Sequence, residues 1–317
     1  TYKEIRGTNI EAVANDPSNP VEGQVWYNTT TNVVKGFINN PGSWSTGGNL
    51  NTGRRVFTGA GTQTAALTFG GGPSPSASVV AITEKYNGTS WTEVNDMNTA
   101  RRYLGGTGTQ TAALSAGGFV PPNVASVELW NGTNWTEVND ISSARRGNAM
   151  SGITTAALNF GATSPSGEKG LTELYNGTNW TELNDLNTGR GYLEGCGTST
   201  ASLAFGGDEG PTKQTELWNG TNWTNVNDLV NVHKTCAGFG TSTAALVAGG
   251  PGDSEPKTEL WNGTSWTEIA NIGTGRSYVS GCGTTTSGVI FGGVPQANQV
   301  LTEEFNAGPA TITFDVS

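Results

Sequence analysis

Five arginines recur at near-constant spacing, at Arg54, Arg101, Arg145, Arg190 and Arg276, and His233 takes the same place in the remaining unit. Six glutamates keep step with them, at Glu84, Glu128, Glu173, Glu216, Glu259 and Glu303. Several arginines brought together would clamp a carboxylate, because each guanidinium offers a two-pronged donor to an oxyanion. A reaction centre, however, needs different groups in different roles. Charges of opposite sign that each appear once per unit predict structural ion pairs that tie loops together, and nothing in the pattern breaks that symmetry. His233, standing where the other units have arginine, reads as a repeat variant and not as the base of a Ser-His-Asp set. Cys196, Cys236 and Cys282 lie 40 and 46 residues apart. A zinc site gathers about four N/S ligands at short spacing, so these cysteines read as small buried residues. Asp96, Asp140, Asp185 and Asp228 also recur, but as Asn-Asp turns without the dense oxygen donors of a calcium loop. No catalytic residue, metal site or cofactor is therefore expected.

The aromatic residues divide into two groups. Trp91, Trp135, Trp180, Trp223 and Trp266 hold a fixed place in each unit, which predicts core packing between units. Tyr103, Tyr192 and Tyr278 instead follow the recurring arginines in only three units. These three tyrosines are the candidate ligand-binding residues, placed to line one mouth of a central channel. Asn-x-Thr sequons stand at Asn28, Asn87, Asn131, Asn134, Asn176, Asn179, Asn219, Asn222 and Asn262. Their Asn-Gly-Thr members read first as turn chemistry.

All of these residues sit in one repeat. The Trp of each unit falls at Trp44, Trp91, Trp135, Trp180, Trp223 and Trp266, with gaps of 47, 44, 45, 43 and 43. Each unit is rich in Gly, Thr and Asn, unlike a helical repeat of this length. It offers four β-capable stretches: one ending in a GxGT-like segment, then xAALxFGG, TELW and WTEV. Four strands in about 45 residues make one propeller blade. The residues resemble the kelch repeat in three features: the Gly pair closing the second strand (Gly70–Gly71, Gly117–Gly118, Gly206–Gly207, Gly249–Gly250, Gly292–Gly293), two aromatics five residues apart, and the arginine before the next first strand. The third unit departs, with Gly161–Ala162. That resemblance implies an all-β, kelch-like β-propeller. The copper chemistry found on some kelch folds needs imidazoles that a single His cannot supply.

First strands are expected near 55–62, 102–109, 146–153, 191–198, 234–241 and 277–284, which gives six blades. The last unit lacks its Trp strand, and GSWSTGGNL near the N-terminus supplies one, so Trp44 is expected to clasp the ring shut. The stretches at 23–37 and 311–317 also look like strands, and together they leave a seventh blade open. The domain organisation expected is a short extended N-terminal arm over 1–22 and a propeller over 23–317, closed by the strand near 43–47.

Composition narrows the partners. The 317 residues hold 16 basic and 26 acidic side chains for a net charge of −10, and 47 glycines. Duplex binding relies on clustered cations that displace counterions, so neither nucleic acid nor an anionic membrane is an expected partner. No stretch approaches the roughly 18 apolar residues of a spanning helix, and TYKEIRGTNIEAVANDPSNP has no apolar signal region.

The segment Asp16–Tyr27, with its GQVWYN hairpin, and the GTQTAALxFGG stretches at 61–71 and 108–118 are similar to bacteriophage virion appendage proteins. This resemblance implies a non-enzymatic tail-fibre or head-fibre protein located on the virion, displaying its propeller for host-surface glycan recognition. It also implies contacts to other virion proteins through residues 1–22 and a homo-oligomer in the assembly. A decoration protein without ligand and a polysaccharide-degrading enzyme are the alternatives.

Overall fold

The computed structural model describes residues 10–163, 167, 169–208, 213–250, 255–295, 297 and 299–314. Among them are strands and turns, and no α-helix. Trp44–Phe305 forms one compact unit, and Thr1–Ser43 with Asn306–Ser317 forms a second.

The larger unit is a six-bladed propeller. A representative blade runs Gly105–Thr109, Ala112–Ala116, Val127–Trp130 and Trp135–Val138, four antiparallel strands in that spatial order. Four further four-stranded sheets repeat it. The six innermost strands neighbour one another in a closed ring, with Thr58–Thr62 touching both Gly105–Thr109 and Ser280–Gly283. Sequence pattern explains the radial order. The second strand, such as Ala65–Phe69, is nearly wholly buried and apolar but for Thr68, whose hydroxyl donates to the Thr58 carbonyl, as suits a strand covered on both faces. The outermost strand, Trp91–Val94, buries its Trp and exposes the two residues after it.

Blades are sealed by aromatic contacts across each seam. The second-strand Phe of one blade meets the Trp of the next: Phe69 with Trp135 at 4.8 Å, Phe160 with Trp223 at 4.9 Å, Phe205 with Trp266 at 5.0 Å and Phe291 with Trp91 at 4.8 Å. Each of those indoles also donates to a Thr hydroxyl of the preceding blade, at 3.0 Å from Trp135 to Thr83, for example. Two seams differ because the sequence differs. Ala116 replaces the Phe and Val127 replaces the Thr, so Trp180 bonds the Asn139 carbonyl instead and stays half-buried. Met150 fills part of the space, standing where Gly106 elsewhere lets a blade approach the Phe69 ring. Ala248 likewise leaves Trp44 without a Phe partner from the preceding blade.

Trp44 nevertheless completes the sixth blade as the repeat pattern predicts. The end of Val33–Thr46 pairs with Thr302–Phe314, which lies beside Ser287–Phe291 and then Ser280–Gly283. Trp44 packs on Phe305 at 5.1 Å and donates to the Ala270 carbonyl. It does not reach Thr258, whose buried hydroxyl has no partner. The clasp thus lacks the ring and hydroxyl partners that seal four of the seams. Trp44→Ala should cost roughly 2 kcal/mol, below the range for a fully buried Trp, in denaturant unfolding of the whole chain. An unchanged midpoint would mean that the clasp contributes nothing to closure.

A second closure runs round the axis. Val56, Tyr103, Gly147, Tyr192, Thr235 and Tyr278 all have φ between 52° and 65°. The backbone N–H of each donates to the carbonyl of its equivalent in the preceding blade, from Tyr103 to Val56 at 2.8 Å round to Val56 to Tyr278 at 3.3 Å. Five non-glycine residues therefore hold a left-handed conformation that a β-branched or bulky side chain disfavours. The ring of six hydrogen bonds over-determines it.

The smaller unit holds strand Glu11–Val13, parallel to Val25–Asn28, which pairs antiparallel with the first residues of Val33–Thr46. Asp16 accepts from Lys35, Asn28 and Trp26, at 2.7, 2.7 and 2.9 Å. Those donors, Lys35 first, hold its carboxyl down at about 2. The boundaries differ from the sequence expectation: the propeller begins at Trp44, not at residue 23, and the GQVWYN hairpin belongs to the smaller unit. The seventh blade is not formed, because Val25–Asn28 and its partner strand join Glu11–Val13. Residues 1–9 of the expected arm and 315–317 of the expected last strand lie outside the described residues.

Candidate functional site

The recurring charges are structural pairs. Arg54 meets Glu84 at 3.1 Å, Arg101 meets Glu128 at 3.2 Å, Arg145 meets Glu173 at 2.5 Å and Arg276 meets Glu303 at 3.2 Å; Arg190 pairs with Glu216. All five guanidinium groups are fully buried. Each carboxylate also accepts a backbone N–H from the loop entering its blade, as from Asn51 to Glu84 at 2.8 Å and from Asn187 to Glu216 at 2.7 Å. Burial pushes Arg54 and Arg276 down to about 10 despite their glutamates, so both stay cationic at neutral pH.

His233 takes the arginine's role with fewer donors. Its Nε2 lies 3.2 Å from Glu259 and its Nδ1 2.8 Å from the Gly249 carbonyl. Both ring nitrogens therefore face acceptors, one a carboxylate and one a backbone carbonyl. Burial opposes ionisation of Glu259, but donation from His233, Val230 and Asn231 outweighs it and holds the carboxyl below its ordinary range.

The three cysteines are free and buried, Cys196 and Cys282 in innermost strands and Cys236 just before one, and burial raises their thiols. Asp96 and Asp185 cap strands, accepting from the Thr83 and Thr172 backbone N–H groups. The Asn-Gly-Thr segments are turns: Asn87 Oδ1, for example, accepts from the N–H groups of Thr89 and Ser90.

The candidate tyrosines do converge. Tyr103 lies 5.3 Å from Tyr192 and 6.3 Å from Tyr278, ring to ring, and all three line a small cavity of about 60 Å³ at one end of the channel. Burial and the neighbouring phenols raise the Tyr103 hydroxyl. Beside them stand three further cations, Arg55, Arg102 and Arg146, whose place the repeat pattern does not single out. The Arg55 guanidinium lies 5.6 Å from the Tyr278 ring, and Arg102 lies 5.4 Å from the Tyr103 ring. Their signal in the sequence was the Arg-Arg doublet of the first three blades.

The channel itself holds a cavity of about 210 Å³ lined by the innermost strands. Here symmetry is broken after all. Equivalent positions carry Thr58, Gly105, Ala149, Ala237 and Ser280, whereas the fourth blade carries Glu194. Among the described lining residues Glu194 is the single acid, and no cation pairs with it. Burial pushes its carboxyl up to about 8, so it is mostly neutral at pH 7. Asn148 breaks the pattern one blade earlier, with a buried Oδ1 that finds no partner.

No family model matches this chain, and no curated protein matches it.

Proposed function

We propose that this protein is a non-enzymatic appendage of a virus particle, presenting its propeller to a glycan on a host surface. The observation that carries this reading is the division of labour among its side chains. The charges repeated in every blade are consumed within blades, while aromatic and cationic groups that recur in only three blades gather at one mouth. The phage-type segment Asp16–Tyr27 supports the particle context, with residues 1–22 contacting other particle proteins. A hydrolytic reading would need a second carboxylate near Glu194, and the described lining residues supply none.

Labelled full-length protein should bind intact host cells, and mild periodate oxidation of their surface sugars should abolish the binding. Binding that survives complete removal of surface glycans would overturn the glycan reading. Deleting residues 1–22 should leave a folded propeller that no longer enters particles. Normal incorporation of the truncated chain would overturn the attachment role.

A further inference from the structure

Each fully buried arginine of the propeller faces its own glutamate, but three other arginines do not. No carboxylate pairs with Arg55, Arg102 or Arg146 among the described residues. Their Nε atoms are shielded from water and have no hydrogen-bond partner. Aromatic rings hold the guanidinium groups side by side. Arg102 and Arg146 both lie over Phe119, at 5.3 and 4.7 Å, and both lie over Tyr103, at 5.4 and 5.7 Å. Arg55 lies over Tyr278, whose ring neighbours Tyr103.

Like charges gathered this way repel, and contact with ring faces offsets only part of that repulsion. In a chain of net charge −10, carboxylates are plentiful, yet none has been placed here. An arriving oxyanion would supply the missing countercharge to guanidinium forks already fixed in position. The half-exposed tyrosine cluster beside them offers an apolar, hydroxyl-rimmed surface of the kind a sugar ring packs against.

We infer that Arg55, Arg102 and Arg146 form an anion site that takes the carboxylate of an acidic saccharide, with its sugar ring against Tyr103 and Tyr278. The ligand class rests on the glycan-display reading; the anion site does not. The paired side of the mouth, where Lys234 already meets Asp208 at 3.2 Å, takes no part.

The test is calorimetric titration of the full-length protein with tetragalacturonate, neutral cellotetraose and inorganic phosphate, alongside the ¹H–¹⁵N signals of arginine Nε. Tetragalacturonate should bind and shift Nε signals that vanish when Arg55, Arg102 or Arg146 is replaced by Gln. Arg102→Gln and Arg146→Gln should each weaken it at least about tenfold, the loss of one charged hydrogen bond. Lys257→Gln, at a lysine already paired with Glu268, should leave it unchanged. Phosphate binding as tightly as tetragalacturonate would overturn the saccharide assignment and leave a bare-anion site. Cellotetraose binding untouched by the arginine variants would overturn the arginine site while sparing glycan recognition. Nε signals that respond to no anionic probe would overturn the site outright. Tetragalacturonate binding combined with periodate-insensitive cell binding would sink the display reading alone.

Discussion

Glu194→Gln should leave stability at pH 4 almost unchanged and raise it by roughly 2–4 kcal/mol at pH 8. The wild-type channel favours the neutral acid, with the carboxyl pushed from 4.5 to about 8 by burial. Below 4.5 the folded and unfolded chains both hold the proton, and the side chain imposes no ionisation penalty. As pH rises the unfolded chain releases that proton first. The native state must then keep its proton at growing cost, or bury a carboxylate that no cation meets. The penalty is fully developed above pH 8. Glutamine has nearly the same shape and never ionises, so it removes the pH-dependent part alone. Water in the channel trims the effect, which is why the range lies below the full value of the shift. Denaturant midpoints of wild type and variant at the two pH values decide the matter. Equal differences at pH 4 and pH 8 would mean that Glu194 is ionised and solvated in the channel.

Much of the propeller was legible because its repeat obeys local rules. A fully buried second strand must be mostly apolar, and Ala-Ala-Leu-x-Phe or a near variant announces this in five blades, with Ser-Gly-Val-Ile-Phe in the last. The clasp was legible too, since a Trp strand missing at one end reappears at the other. Trp44 could be placed by counting alone. The fate of Val25–Asn28 could not, because alternation shows that a segment forms a strand but not which sheet takes it. Glu194 was hidden for a related reason. In the sequence it differs from Gly105 by one residue in a tolerant-looking position, and only the ring geometry turns that position toward an axis shared by six blades. Arg55, Arg102 and Arg146 were overshadowed by their neighbours Arg54, Arg101 and Arg145. Adjacent residues in an extended segment point opposite ways, so one arginine of each doublet enters the blade and the other is left for the mouth.

The opposite fate of those neighbours underlies the second large effect. Glu216→Ala should destabilise the protein by about 3–5 kcal/mol, the cost of stranding a buried charge. Arg190 has no exposure to water, and without Glu216 its guanidinium keeps only carbonyl partners, among them Gly206 and Ala204. The same carboxylate accepts from the N–H groups of Asn187 and Thr188 and from the Asn187 amide, so the blade's entry loop loses its anchor as well. Glu216→Gln keeps an acceptor in place but no countercharge, and should fall between wild type and alanine. Glu268 is the control: it pairs with Lys257 at 2.7 Å in a part-exposed setting, where water replaces the partner. Glu268→Ala should therefore cost far less than Glu216→Ala. The comparison separates burial from mere pairing, because both glutamates accept from a cation and from an asparagine amide. If the two alanine variants unfold at the same denaturant concentration, the buried pairs are spectators, and closure rests on the aromatic seams and the axial ring of hydrogen bonds.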